Sequence, residues 1–165
     1  MNPLAVRRLN LCEYSMASTM INMARASICA FIFTVAALVI LVFRESIIAM
    51  GFIGLTIQVL AALLMIWARI TFGRRSFHAS AAPTLGGLVT TGPYHYVRHP
   101  IYASILYFIW TAVATHFSAI EMGLGVVITI GLVIRMLAEE RLVIVKYPEY
   151  AAYASRTKRI IPYII

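Results

Sequence analysis

The sequence predicts an all-α integral membrane protein with four transmembrane helices arranged as two hairpins. Three observations carry that prediction. Hydrophobic residues make up 62% of the 165 positions and charged residues 12%, whereas a soluble domain holds about 45–50% apolar and about 25% charged residues. A chain of this size folded in water could not hide so much apolar surface. The apolar residues fall into four long runs, and no alternating strands of about ten residues occur. Helices, rather than a barrel, must therefore satisfy the backbone in lipid. The charges lie between the runs, 14 Lys+Arg against 6 acids, every acid a glutamate. A soluble enzyme, a disordered tail and a coiled coil are excluded. The basic balance points to the phosphates of a membrane surface, with no nucleic-acid partner expected.

Residues 1–25 do not read as a cleaved signal peptide, because the following run is too long and no small-residue cleavage pattern is present. Leu4, Leu9, Leu11, Met16, Met20 and Met23 predict a short helix lying at the interface, with an irregular start as the alternative. The first span covers 26–43 and carries no charge. The second covers 46–68, with Gln58 its only strongly polar side chain. The third covers 101–119 with His116 near its end, and the fourth covers 122–137 with Arg135 in its last turn. Runs of roughly 17–25 residues match a hydrocarbon core about 30 Å thick. The hairpin joints fall at Arg44-Glu45 and around 118–121. With the N-terminus in the cytoplasm, 13 of the 14 cations face inward and only Arg44 faces out. The positive-inside rule thus puts both termini in the cytoplasm. In a bacterium, that means an inner or plasma membrane.

The remaining polar material collects on one side of the membrane, in the linker 69–100 and the tail 135–165. Thr90-Thr91-Gly92-Pro93 reads as a turn leading into Tyr94. Pro100 is placed to open the third helix at its first position. Arg98 and His99 then sit at the positive end of that helix, where an anion or a carboxylate is favoured; interfacial anchoring is the alternative. Arg135 and Glu139 are four apart and share a helix face, with Glu140 beside them. An arginine so close to a span is costly unless it is paired, functional or snorkelling. Glu140 points about 100° away from Glu139 and matters less unless the tail folds back over it.

Several motifs carry little weight. Gly123, Gly125 and Gly131 lie inside a span without a preceding strand, so they read as helix packing, as do Gly51 and Gly54. Cys12 and Cys29 give neither a disulfide framework nor a zinc spacing. His78, His95, His99 and His116 are scattered, so no metal site is predicted. The absence of any Asp leaves no nucleophilic triad.

Leu88-Val89-Thr90-Thr91-Gly92-Pro93-Tyr94, followed by Val97-Arg98-His99-Pro100 and Tyr102, resembles the signature of isoprenylcysteine carboxyl methyltransferases and their bacterial relatives. Glu139-Glu140, then Tyr147-Pro148-Glu149-Tyr150, Tyr153 and Pro162, resemble that family's C-terminal block. The likeness covers roughly residues 68–163. It implies one membrane methyltransferase domain over 1–165, with 69–165 the catalytic half. It also implies that linker and tail form a pocket for S-adenosylmethionine, whose product is S-adenosylhomocysteine. Carried over by position, the cofactor residues are Leu88, Val89, Tyr94, His99, Pro100, Ile101, Tyr102 and Glu139, with Glu140 adjoining. Arg135 falls where the eukaryotic enzymes have an arginine attributed to the substrate carboxylate, and Arg135 and Arg98 are the candidate catalytic residues. Three departures stand out. Gly86 replaces a frequent histidine, Ser104 replaces a usual glycine, and the tail block is one residue shorter.

In this chemistry, methyl transfer asks the protein mainly to hold donor and acceptor aligned and dry. Glu139 suits the donor's ammonium. His99 and the N–H groups opening the third helix suit its carboxylate. An acceptor carboxylate needs no general base, whereas an amine acceptor would call on His95 or His99. The expected acceptor is lipophilic and reached from the bilayer, among membrane lipids. Two other readings remain. One is an NADPH-dependent reductase of the sterol-reductase type, which carries a similar Arg-His-x-x-Tyr block. The other is a non-catalytic membrane protein retaining the fold.

Overall fold

The computed structural model describes residues 3–73 and 87–162, with side chains described from Ser18 onward except Met20. Five α-helices follow one another: α1 (Pro3–Phe43), α2 (Gly51–Phe72), α3 (Pro100–Thr115), α4 (Ala119–Lys146) and α5 (Tyr150–Arg156). A 3₁₀ turn, Gly92–His95, precedes α3. No strand occurs among the described residues; the single bridge is Val97 to Lys158. Three helical segments are long and apolar enough to cross a membrane: Ile21–Phe43, Gly51–Phe72 and Ala119–Lys146. The chain is thus a helical, multi-pass membrane protein. At 16 residues α3 is shorter, about 24 Å at 1.5 Å per residue.

The N-terminal segment is not a separate helix. It runs into the first span as one 41-residue helix. Pro3 occupies the first helical position, and no proline or glycine interrupts the chain before Phe43. The stop is a Schellman turn: Ser46 N–H reaches Leu41 O (3.1 Å) and Glu45 N–H reaches Val42 O (2.9 Å). Glu45 takes the left-handed conformation, at φ 55°, that usually falls to glycine.

The second span starts later than the sequence predicts and ends later, at Phe72. Residues 46–50, apolar after Ser46, form a loop, and Gln58 serves its backbone. Gln58 Oε1 accepts from Ala49 N–H (2.8 Å), and its Nε2 donates to Ile47 O (2.9 Å). That explains the one strongly polar side chain of the run: backbone polar groups buried in a loop need partners. The third run stops at Thr115. Ser118 then caps α4, its side chain accepting from Ile120 N–H (3.2 Å). Position 119 therefore belongs to the fourth helix, which continues past 137 to Lys146.

The hairpin pairing is also different from expectation. Helix α1 packs along α4 and α2 along α3, with a lighter α3–α4 contact, whereas α1 and α2 are not packing partners. The order across the bundle is α1, α4, α3, α2. Small residues decide it. Ser27, Ala30, Thr34, Ala37 and Leu41 form a buried stripe on α1 at spacings of three and four. Opposite them Gly131 lets the backbones close: a Cβ there would overlap Thr34 Oγ1 and lie 3.0 Å from Ala30 O. In lipid, where apolar burial gives little drive, such close backbone approach holds helices together. Leu106, Ile109, Val113, Ile128 and Leu132 complete a core shared by α1, α3 and α4.

One end of the bundle is stapled. Arg44 Nε meets Glu121 Oε1 at 2.7 Å, and Ser118 donates to the same carboxylate. His116 Nε2–H donates to Ile48 O (2.7 Å), and Met50 N–H to Thr115 Oγ1 (3.1 Å). The other end is open.

Candidate active site

A cavity of about 280 Å³ occupies that open end. From α1 come Phe31, Thr34, Val35 and Leu38; from α2, Arg69 and Phe72; from the linker, Gly87, Leu88, Val89 and Tyr94. Arg98, His99, Pro100, Ile101, Tyr102 and Ile105 form the wall at the start of α3. Helix α4 adds Leu132, Arg135, Glu139, Glu140 and Val143, and the tail adds Tyr147, Tyr150 and Tyr153. Eleven candidate residues read from the sequence line this space: Leu88, Val89, Tyr94, Arg98, His99, Pro100, Ile101, Tyr102, Arg135, Glu139 and Glu140.

The local chain explains the gathering. Gly92 turns at φ 58°, and a Cβ there would sit 2.8 Å from Thr71 Oγ1, so the Gly-Pro turn can press against the end of α2. Tyr94 is thereby buried, its ring 5.4 Å from that of Phe72. Its carbonyl accepts from the Tyr153 hydroxyl (2.6 Å), which brings the tail across the linker. Pro100 opens α3. The N–H groups of Ile101 and Tyr102, in its first turn, have no partner within the helix by helix geometry.

Two glutamates, adjacent in sequence, face different partners. Glu139 Oε2 accepts from the Tyr102 hydroxyl at 2.8 Å. Glu140 accepts from His99 Nε2–H (3.2 Å) and from Arg159 Nε and Nη2 (3.1 and 3.0 Å). Arg98 Nε also lies 3.2 Å from Glu140 Oε1, but at an angle that makes no hydrogen bond, while its Nη1 donates to Ala154 O (2.9 Å). The tail does fold back over Glu140. His99 in turn stacks on Tyr102, ring centroids 5.5 Å apart.

Arg135 is buried at 6% exposure, as expected of an arginine that does not snorkel. Its guanidinium lies 4.9 Å from the Phe31 ring centroid, with long contacts to Ser27 O and Oγ at 3.4 and 3.5 Å. Three phenols, Tyr94, Tyr150 and Tyr153, are shifted toward the neutral form. Burial, followed by the negative charge of Glu139 beside Tyr94 and of Glu140 beside Tyr150, raises both phenols well above 10. Burial pushes Tyr153 up to about 12.

Some expectations fall elsewhere. His95 packs edge-on against Tyr96 and is not among the lining residues, and His116 belongs to the stapled end. Gly86 and His78 lie outside the described residues. Ser104 Oγ donates to Ile101 O (2.7 Å), within its own helix, and does not line the cavity. The α1 wall was not predicted, and within the expected linker and tail Arg69, Phe72 and Arg159 were not singled out. The first had a signal, since Ser27 and Thr34 are polar residues seven apart in an otherwise apolar run. Arg159 had none, being one of several basic residues in the tail.

Fold and cavity together define a helical membrane protein with a mainly apolar chamber, carrying one polar wall, at one end of its bundle. Residues 46–150 match the phospholipid methyltransferase family. The chain belongs to that family, part of the group of membrane methyltransferases that includes the isoprenylcysteine carboxyl methyltransferases. No curated protein and no solved structure matches it.

Proposed function

We propose that this chain, as one domain over residues 1–165, is an S-adenosylmethionine-dependent methyltransferase acting on the acidic head, a carboxylate first, of a lipophilic acceptor reached from the bilayer. One observation carries the reading. Arg135 and Glu139, a turn apart on α4, line a single cavity whose wall changes from tyrosines and a helix N-terminus to the apolar α1 face.

The residues fit the donor. Glu139, which accepts from the Tyr102 phenol, suits an ammonium group. The N–H groups of Ile101 and Tyr102 suit a carboxylate at the start of α3. The Nε2–H of His99 is already given to Glu140, so His99 offers the donor its ring face and its other edge. Tyrosine rings around the cavity can stabilise a cation. When bound, S-adenosylmethionine supplies an activated methyl group on a sulfonium.

Toward the acceptor, Arg135 would hold a carboxylate in two parallel hydrogen bonds while Phe31, Val35 and Leu38 receive the apolar tail. A carboxylate is already a nucleophile at neutral pH, so no residue here needs to take a proton. The apolar wall keeps water from the reacting atoms. In this reading α3 crosses with α2 as a fourth span, and the cavity end with both termini faces the cytoplasm, where 13 of the 14 cations collect.

The test is a titration of the purified protein in detergent with S-adenosylhomocysteine and, separately, NADPH. Binding of S-adenosylhomocysteine alone is expected. Binding of NADPH instead would favour the reductase reading, and binding of neither a non-catalytic protein. Labelled methyl transfer to an acid-headed lipid, compared with an aminophospholipid, then identifies the acceptor class; transfer to the amine alone would overturn the carboxylate assignment.

A further inference from the structure

We propose that Arg159, in the tail, is a positioning residue for the donor site, acting through Glu140 on His99; the inference rests on the methyltransferase reading above. The strap that carries Arg159 is docked on the residues that open α3. Arg98 N–H donates to Lys158 O (2.7 Å) and His99 N–H to Arg159 O (3.0 Å), and Val97 bridges Lys158 in parallel register. The backbone of the strap therefore fixes where His99 stands. Tyr107 Oη adds a third tie, donating to Ile160 O at 3.1 Å.

The side chain of Arg159 then fixes how His99 is turned. Its Nε and Nη2 meet Glu140 Oε2 at 3.1 and 3.0 Å, and Nε also reaches Oε1 at 3.3 Å, the oxygen that accepts the His99 Nε2–H. A carboxylate gripped at both oxygens by one guanidinium keeps Oε1 facing the imidazole. The Nε2 contact and the stacking on Tyr102 together set the plane of the imidazole. The line continues to Glu139 through the Tyr102 hydroxyl. Arg159 itself does not line the cavity. Its side chain is 41% exposed, so its effect on a ligand must pass through Glu140.

The strap thus does more than close the chamber. It holds the donor-side wall in register from outside the segment that matches the family, residues 46–150. Neutralising Arg159 would let Glu140 turn toward Arg98, whose Nε lies 3.2 Å away without a bonding angle. His99 would then lose its anchor.

The experiment uses the full chain in detergent and measures S-adenosylhomocysteine affinity, methyl-transfer kinetics and thermal stability for Arg159→Gln, Arg159→Lys, His99→Ala and the double variant Arg159→Gln/His99→Ala. Arg159→Gln is expected to weaken S-adenosylhomocysteine about tenfold, within the coupling range of residues sharing one hydrogen-bond network. The acceptor KM should stay within about twofold, and Arg159→Lys should recover most of the loss. In the His99→Ala background the Arg159→Gln effect should vanish. Unchanged affinity in Arg159→Gln, or the same loss with and without His99, would overturn the inference, as would a loss of stability without a change in affinity. If Arg159→Gln does not fold, Arg159→Lys takes its place in the cycle with an expected loss of about threefold, and unchanged affinity there overturns it equally. Failure of the wild-type protein to bind S-adenosylhomocysteine would instead remove the methyltransferase reading itself.

Discussion

The Tyr102 hydroxyl donates to Glu139 Oε2 across 2.8 Å, joining the first turn of α3 to the last third of α4 inside the cavity. This bond aims a carboxylate at the space between the two helices before any ligand arrives. Glu139→Gln keeps the shape and removes the charge. It should weaken S-adenosylhomocysteine by about 1.5–3 kcal/mol, the range for a hydrogen bond to a charged group. Tyr102→Phe leaves the charge and frees its orientation, so about 1 kcal/mol is expected. Isothermal titration of both variants checks the order; a larger loss for Tyr102→Phe would mean that the phenol, not the carboxylate, meets the ligand.

Gly131 and Thr34 test the helix order. A side chain at 131 would overlap Thr34 Oγ1 and crowd Ala30 O at 3.0 Å, so α1 and α4 would have to separate. Gly131→Ala should cost about 1–3 kcal/mol, as overpacked sites do. Adding Thr34→Ala should recover part of that loss, because it removes the hydroxyl but not the carbonyl. Thermal unfolding in detergent reads both. No recovery would place the strain elsewhere on α4.

Much of this site was legible in the sequence because its parts are local. Gly92, Pro93, Pro100 and the Arg135–Glu139 spacing each fix short-range geometry, and all of these segments border the one cavity. The helix order was not legible. It depends on which small residues meet across helices, and Thr34 finds Gly131 only after a long excursion of the chain. The loop at 46–50 was hidden for a related reason: its residues are as apolar as a span, and only Gln58, twelve positions after Ser46, shows that its backbone needs partners. The tail's hold on Glu140 was unreadable because nothing in sequence separates Arg159 from Arg156 or Lys158.

The buried phenols set an alkaline limit. Burial pushes Tyr153 up to about 12, and Tyr94 and Tyr150 are also raised above the ordinary value near 10. Above pH 10 the unfolded chain gives up these protons first, so stability is fully present below pH 10 and falls as pH rises toward 12. Between pH 6 and 9 these three groups should contribute no pH dependence to stability or to ligand affinity. Tyr153→Phe should make the fall above pH 10 shallower, while lowering stability at neutral pH through loss of its bond to Tyr94 O. A series of melting temperatures across pH tests this; an unchanged slope in Tyr153→Phe would assign the alkaline loss to other groups.

In the proposed mechanism Arg135 serves the acceptor and Glu139 the donor. It lies one turn before Glu139 on the same face of α4, and its guanidinium sits against Phe31 of α1 while also reaching the Tyr102 hydroxyl. An acid attached to a lipid would bring its tail along Phe31, Val35 and Leu38 and its head to this guanidinium. Arg135→Lys keeps the charge but loses the planar fork that accepts a carboxylate through two bonds. Turnover should therefore fall about tenfold or more, consistent with about 1.5–3 kcal/mol for a charge-assisted contact. Affinity for S-adenosylhomocysteine should stay within a few-fold, because Glu139 keeps its Tyr102 partner. Measuring both constants on this one variant decides the matter. Equal loss of both would make Arg135 a support for Glu139, and full activity would leave its buried charge to the packing of α1 against α4.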